Sequence, residues 1–390
     1  MRLFVGATAI LVAAVGCQEE VTAPTSLEGA PAMASAATVA LAFNQVSGGA
    51  RHTCGVTADN RAYCWGLNSS GQLGDGTSTQ RLRPVPVAGM LRFRQVSAGG
   101  QSTCGLTTDN RAYCWGYGGD GELGNGTSTN RLTPVPVAGG RLFRWVDVSD
   151  YHACGVSYSD NKAYCWGYNG AGALGDGTTT TRLKPVAVAG GRQFREVKVG
   201  QLHTCGVTTT DQAFCWGWNS FGQIGDSSTS TRLTPSRVAG TLRFRQVDAG
   251  ASFTCGVTTT GRAYCWGNGR VGQIGNGKAY LSYWPRAVAG GLTFRRVNTG
   301  EFHACGETTE NRAYCWGWNL TGAIGDGTTT QRLRPVAVAG GHFFRQMSAG
   351  SSHTCGRTFA ITYCWGGNDN GQLGEGTNNQ RLTPYRVAAP

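Results

Sequence analysis

Cysteine is the residue type whose spacing carries the plainest chemistry in this chain. Fifteen cysteines occur, and fourteen of them form seven pairs: Cys54/Cys64, Cys104/Cys114, Cys154/Cys165, Cys205/Cys215, Cys255/Cys265, Cys305/Cys315 and Cys355/Cys364. Nine residues separate the members of five pairs, ten those of Cys154/Cys165 and eight those of Cys355/Cys364. Two chemistries compete for such pairs. Structural zinc needs four ligands and favours Cys-x2-4-Cys spacing, whereas here two thiols recur at a wider interval. A disulfide needs facing positions on neighbouring strands, where the Cα atoms of a non-hydrogen-bonded pair lie about 4.5 Å apart. We expect disulfides, each closing a loop of roughly ten residues and worth about 2–3 kcal/mol in the entropic picture. They imply an oxidising compartment: periplasm, cell surface or outside the cell.

The fifteenth cysteine, Cys17, stands apart from these pairs. Arg2 supplies a positive start, and Leu3 to Val15 is an apolar run of signal-peptide length, too short to span a bilayer. It leads through Ala14-Val15-Gly16 into Cys17, which resembles the bacterial lipobox, where the cysteine is diacylated and becomes the mature N-terminus. We therefore expect residues 1–17 to be a lipoprotein signal peptide with Cys17 as the lipidation site. Residues 18–40, rich in Ala, Pro, Thr and Ser, have nothing to bury and read as a flexible tether. Gln18 rather than Asp after the lipidated cysteine implies, by the lipoprotein sorting rule, the outer membrane, on its periplasmic side or at the cell surface. An ordinary secretory signal with an incidental cysteine is the competing reading.

Other groups with chemical potential also recur. His52, His152, His203, His303 and His353 stand two before the first cysteine of their pairs, with Ser102 and Phe253 in the remaining units. A ring of imidazoles could hold a metal; a hydrogen bond closing the adjoining turn is the reading adopted, and no metal or cofactor is expected. Asp75, Asp176, Asp226 and Asp326 sit in turns where they serve their own backbone amides, without the dense oxygen ligands of a calcium loop. No Ser–His–Asp set or carboxylate pair rises above this background, so no catalytic residue is named and the chain is not read as an enzyme. The net charge of +12 invites an acidic partner. Its source is repeated arginines, Arg94, Arg144, Arg195, Arg245, Arg295 and Arg345 in one series and Arg81, Arg131, Arg182, Arg232, Arg332 and Arg381 in another. We expect these to be spread around the molecule rather than gathered in a nucleic-acid patch.

The elements that position these groups follow from composition and period. Charged residues are only 14% of the chain and 61 positions are glycine, which disfavours helices. Successive first cysteines are 50, 50, 51, 50, 50 and 50 residues apart, so seven units fill Ala42 to the C-terminus. In one unit, Phe93–Ser97 alternates apolar and polar, Thr103–Thr107 and Ala112–Trp115 flank a hairpin loop, and Pro134–Ala138 suits a sheet edge. Four short strands in each of seven units describe a propeller.

The pattern Val-Ser-Ala-Gly, His-Thr-Cys-Gly-Val, then Tyr-Cys-Trp-Gly-x-Asn-x-x-Gly-Gln-Leu-Gly-Asp-Gly-Thr resembles the regulator of chromosome condensation (RCC1) repeat. The resemblance covers residues 42–390. It implies an all-β, seven-bladed β-propeller over residues 41–390 with four-stranded blades, to which the cysteine reading adds one intrablade disulfide each. We expect Phe43–Ser47 and Pro384–Ala388 to meet in one blade and close the ring. The nuclear founder of the family is a guanine-nucleotide exchange factor that binds nucleosomes and uses a wedge inserted between strands. Regular 50-residue steps leave no room for such a wedge, and exchange activity is not carried over. A secreted propeller-type β-lactamase inhibitor is an analogue in compartment and fold only.

Topology places the turn between the first two strands and the stretch after Trp-Gly at one end of every blade. Positions that vary between units concentrate there: Tyr117, Tyr151, Tyr168, Leu202, Trp218, Phe221, Phe253, Arg270, Phe302, Trp318 and Leu320. Aromatics and Arg on a rigid loop surface suit a partner interface. The expected role is a binding or scaffold module for an unidentified protein or glycan, with nucleic acid not expected and membrane contact through the lipid alone. A secreted inhibitor or enzyme on the same scaffold is the alternative. The repeated Trp of Cys-Trp-Gly read as packing between blades.

Overall fold

A computed structural model describes residues 41–390, so the expected signal peptide of residues 1–17, its Cys17 and the expected tether of residues 18–40 lie outside the described residues. The rest is cut into 28 strands that form seven four-stranded antiparallel sheets, each built from consecutive strands in sequence order. We number these blades 1 to 7; blade 1 comprises Phe43–Gly48, His52–Thr57, Ala62–Gly66 and Arg81–Pro86. No helix occurs among the described residues.

The first strand of each blade is innermost and lines the axis, and the fourth is the exposed outer edge. Phe43 and Val46 are three apart, so in a regular strand they would face opposite sides. A register shift between Phe43 and Gln45 absorbs Asn44 and brings both to the core side. The same shift absorbs Arg94, Arg144, Arg195, Arg245 and Arg295. The second strand is buried along its whole length in blades 1 to 6, as in His52–Thr57, and in blade 7 up to the partly buried Arg357. Glycine is required at Gly55, because a Cβ there would lie 2.5 Å from the Phe43 ring that covers it.

All seven expected cysteine pairs are disulfides: Cys54–Cys64, Cys104–Cys114, Cys154–Cys165, Cys205–Cys215, Cys255–Cys265, Cys305–Cys315 and Cys355–Cys364. Each pair lies directly opposite on the second and third strands, with Cα atoms 4.0–4.1 Å apart, somewhat closer than the spacing expected from strand geometry. The longer hairpin of blade 3 and the shorter one of blade 7 keep the same register, Cys154 facing Cys165 and Cys355 facing Cys364. Asn60, Asn110, Asn161, Asp211 and Asn311 supply the left-handed turn residue in five hairpins, Gly261 in another.

The second cysteine of each pair also marks an irregularity that the repeat period does not foretell. Toward the outer strand the ladder slips immediately after Cys64, Cys114, Cys165, Cys215, Cys265, Cys315 and Cys364. Cys64 still faces Val85, but the next pair is Gly66 with Arg81, so Leu82-Arg83-Pro84 bow out opposite Trp65 alone. Pro84 has no N–H to give a ladder, and the bow places it where none is required.

The apolar core lies between blades rather than inside one. One cluster joins Cys104, Leu106 and Leu123 of blade 2 to Phe143, Val146 and Trp166 of blade 3, and Phe43, Val46 and Trp65 pack in the same way with Cys355, Cys364 and Leu373. This corrects the expected ring closure. Phe43–Gly48 heads the sheet of blade 1 and Arg381–Arg386 ends that of blade 7, so the termini do not share a blade. Blade 7 instead meets blade 1 as any blade meets the next. The Trp65 indole donates to the Gln372 carbonyl at 2.9 Å, just as Trp115 donates to Gln72 at 3.0 Å.

Candidate functional site

Three kinds of position decide what this ring offers a partner: those consumed in holding neighbouring blades, those lining the axis, and those left free at the loop end. The histidines belong to the first kind. His52 Nε2 lies 2.8 Å from Thr103 Oγ1, and that hydroxyl donates to the Gln72 carbonyl at 2.8 Å. The imidazole is therefore the donor, with its proton on Nε2. Equivalent bonds join His152 to Thr204, His203 to Thr254, His303 to Thr354 and, across the closure, His353 to Thr53. The side chain thus bridges blades; the turn beside it is closed by backbone, Gly49 N to His52 O at 2.8 Å. Burial pulls the His52 imidazole down to about 3, which keeps it neutral.

The two units without histidine explain themselves. Ser102 and Phe253 face Ala153 and Ala304, where the other units carry threonine. Phe253 was expected on the loop face, and the structure corrects this: it is fully buried, filling the slot that imidazole occupies elsewhere.

The arginines are likewise largely spent. Arg81 pairs with Asp75 at 2.9 Å, and Arg182, Arg232, Arg332 and Arg381 repeat the pair with Asp176, Asp226, Asp326 and Glu375. Burial pushes the Asp75 carboxyl up, but the Thr77 hydroxyl and amide and the Arg81 guanidinium outweigh it and hold the group below its ordinary value. The other series bridges blades, as when Arg94 donates to the Arg144 carbonyl at 3.0 Å and Arg195 to that of Arg245 at 3.0 Å. Because these arginines sit on the innermost strand, they gather around one mouth of the axial channel, at the hairpin end. Spread around the ring and solvated or bridging blades is what the repeat leads one to expect of both series; the gathering of this one at the axis follows from its place on the innermost strand.

Along the channel wall a second set of latches recurs. Gln45 pairs both amide atoms with the Val96 backbone, at 2.7 and 2.9 Å, and Gln346 does the same with Val46 across the closure, at 3.0 and 3.2 Å. Trp145 takes the position in blade 3, donating to the Val197 carbonyl at 2.9 Å, and Glu196 takes it in blade 4, accepting from Val247 N at 3.2 Å. Beside them Lys198 lies 3.6 Å from Asp248 and is opposed by burial but held charged by Asp147, Asp248 and Glu196.

At the loop end the free positions pair up. Tyr151 stacks near Tyr168 at 5.9 Å, Trp218 meets Phe221 edge-on at 5.2 Å, and Phe302 meets Trp318 at 6.2 Å. The Arg270 guanidinium of blade 5 lies 5.7 Å from the Phe221 ring of blade 4. Tyr151, Tyr168 and Phe302 are 37–38% exposed and Leu320 66%, while Tyr117, Leu202, Trp218, Phe221 and Trp318 are half-buried. Phe302 and Trp318 flank a cleft of about 480 Å³ whose polar walls are Arg51, Glu301, Asp369 and Asn370. The tryptophans of Cys-Trp-Gly are all buried between blades.

A closed ring of seven four-stranded sheets, each stapled by a disulfide, defines a β-propeller. The chain belongs to the regulator of chromosome condensation (RCC1) repeat family, whose model matches residues 59–106, 109–159, 160–207, 210–257, 310–356 and 362–390. A second model of the same repeat matches 43–72, 93–122, 194–223 and 244–273. A 45-residue stretch is 44% identical to the Arabidopsis thaliana ultraviolet-B receptor UVR8; it spans 12% of this chain and 10% of the receptor. Human WBSCR16 superposes with a TM-score of 0.77 at 19% identity, over 85% of this chain and 94% of that one. Prp20p of Saccharomyces cerevisiae, described with its binding to Gsp1p and histones, gives 0.74 at 20% identity, over 81% and 82%. The likeness to these two structures is one of fold.

Proposed function

We propose that the protein is an exported binding module that grips a protein or glycan partner with the loop-end face of blades 3 to 6. The observation that carries this reading is the set of aromatic pairs Tyr151/Tyr168, Trp218/Phe221 and Phe302/Trp318 at one end of a rigid ring. Interfaces place such aromatics with Arg at their centres, and Arg270 stands beside Phe221. The seven disulfides indicate an oxidising, extracellular environment, which supports export. In this proposal Cys17 carries the lipid and residues 18–40 hold the ring off the outer membrane. The binding of Gsp1p and histones named for Prp20p fits a family that presents protein-binding rings, without supplying this chain's partner. No catalytic step enters the proposal.

The test is affinity capture from the native host's envelope with residues 39–390. Trp218→Ala and Trp318→Ala should each abolish recovery of the partner, while Arg386→Ala on the outer edge leaves it unchanged. Equal recovery with all three would refute the face. Retention of radiolabelled fatty acid by the wild-type chain and its loss in Cys17→Ser tests the anchor.

A further inference from the structure

The axial channel is not uniform, and its irregular sector lies between blades 6 and 7. Where blades 1, 2, 5 and 7 carry the glutamine latch, blade 6 carries Arg296. The amide of Met347, which that latch should hold, is bound instead by Glu307, a buried carboxylate on the second strand. Arg296 is thereby released, and no hydrogen bond or ion pair ties its side chain to another described residue. Arg345 is free for a related reason. Arg94, Arg195 and Arg295 spend a guanidinium nitrogen on carbonyls of the next blade, whereas the Arg345 side chain only lies over Phe359, at 5.1 Å. Arg357, standing where other blades have Val, Leu or Glu, keeps its Nε buried and unpartnered, and so does Asn298 its Nδ2.

The side chains of Arg296 and Arg345, which hold no protein acceptor, and the buried Arg357 Nε and Asn298 Nδ2 are all hydrogen-bond donors, and all four residues line one channel cavity of about 430 Å³. Burial, and then the charge of neighbouring Arg345, push the Arg357 guanidinium below its ordinary value, a repulsion that an anion between them would relieve. The cavity's carboxylate, Asp147, is already engaged by the Ser97 hydroxyl at 2.7 Å and Val199 N at 3.0 Å. On the opposite wall Gln95, 8% exposed, presents an unpartnered Oε1 suited to a protonated oxygen.

We propose that this cavity is an anion site, entered from the hairpin end, in which Arg296, Arg345, Arg357 and Asn298 hold a compact, multiply charged oxyanion. Charge-assisted donors converging on one cavity, the exposed heads of Arg296 and Arg345 above the buried Arg357 Nε and Asn298 Nδ2, favour clustered phosphate or carboxylate oxygens. The site is at the opposite end of the ring from the aromatic face and does not depend on it.

Calorimetric titration of the purified protein with inorganic pyrophosphate, and separately with citrate, distinguishes phosphate from carboxylate oxygens. At least one of them should bind with unit stoichiometry. Arg296→Gln combined with Arg345→Gln should weaken that binding about tenfold or more, as expected for two lost charged hydrogen bonds. Asn298→Ala, which removes no charge, should weaken it by a smaller factor, and Arg386→Gln combined with Arg237→Gln, an equal loss of charge on the outer edges, should leave it unchanged. The side chains of Arg296 and Arg345 donate no hydrogen bond to another described residue, so the double variant should stay folded without anion, which circular dichroism checks. Failure of both anions to bind, or an equal loss of affinity in the Arg237→Gln and Arg386→Gln double variant, overturns the site.

Discussion

At the scale of single residues, the five His–Thr bonds behave as one device whose halves were lost together. Wherever the preceding blade lacks histidine, the following blade has alanine, as Ser102 with Ala153 and Phe253 with Ala304. The physical reason is asymmetry: removing one partner leaves a buried polar atom unsatisfied at about 1–3 kcal/mol, while replacing both with apolar groups is nearly neutral. Thr103→Ala should therefore lower the melting temperature, since it strands His52 Nε2. Adding His52→Phe, which copies the blade 5 to 6 arrangement, should recover most of the loss. If the double variant melts no higher than the single one, the coupling is not as described. This pairing was legible in the sequence, because both columns are visible in the repeat. It was overlooked because each column was read within a unit, while the bond runs between units. Phe253 was misplaced for the same reason: it looked like a loop aromatic until its position was recognised as the imidazole's.

At the scale of the strand and hairpin, the cysteine register was readable because antiparallel geometry fixes which residues face each other. It held in every hairpin, from Cys54 opposite Cys64 and Cys104 opposite Cys114 to Cys255 opposite Cys265 and Cys305 opposite Cys315. The fourth strand was displaced: Pro134 was taken as its start, but pairing begins with Arg131 opposite Gly116, after a shift that skips Trp115. Proline is tolerated mid-strand there because the edge needs no donor. The frame of the repeat was also not decidable from period alone, since a ring closed by a shared blade and one closed by whole blades have the same spacing. The disulfides give a sharp element-level expectation. Every sulfur-bearing side chain in the seven pairs is fully buried, so a thiol reagent added to the native ring with mild reductant should find no reactive group from them. In denaturant with reductant, fourteen thiols from these pairs should appear. Replacing both Cys205 and Cys215 by alanine should cost about 2–3 kcal/mol, as a loop of this size predicts. Ready labelling of the native ring would mean that the hairpins open independently, contrary to a core shared between blades.

At the scale of the whole molecule, the ring accumulates buried titratable groups of two kinds, and their opposition sets a pH profile. Glu122 and Glu196 stand where four of the other six units carry glutamine, and Glu307 where they carry mostly valine. Burial pushes them up from 4.5, Glu122 to about 8 and Glu196 and Glu307 to about 7. A carboxyl whose folded value is raised stabilises the fold fully below its unfolded value and loses that stability as pH rises through the folded one. The five imidazoles run the other way. Burial pulls them from 6.5 to about 3, or about 4 for His303, so their contribution is present above 6.5 and fades as pH falls toward those values. From pH 8 downward these carboxyls therefore gain first; below 6.5 the five imidazoles lose, against the gain of these three and of Asp150, Asp248 and Glu301, which burial also raises. The melting temperature should rise between pH 8 and about 6.5, and that rise should be curbed below 6.5, where the imidazoles begin to lose. Glu122→Gln, Glu196→Gln and Glu307→Gln combined should keep the loss that belongs to histidine at acid pH and reduce the alkaline decline. At pH 8 that variant should melt on the order of a few degrees above wild type, with the gap closing as pH approaches 4.5. A gap that is the same at both ends of the range would mean that these carboxyls reach water when the ring is folded, and that the seams between blades are looser than their hydrogen bonds describe.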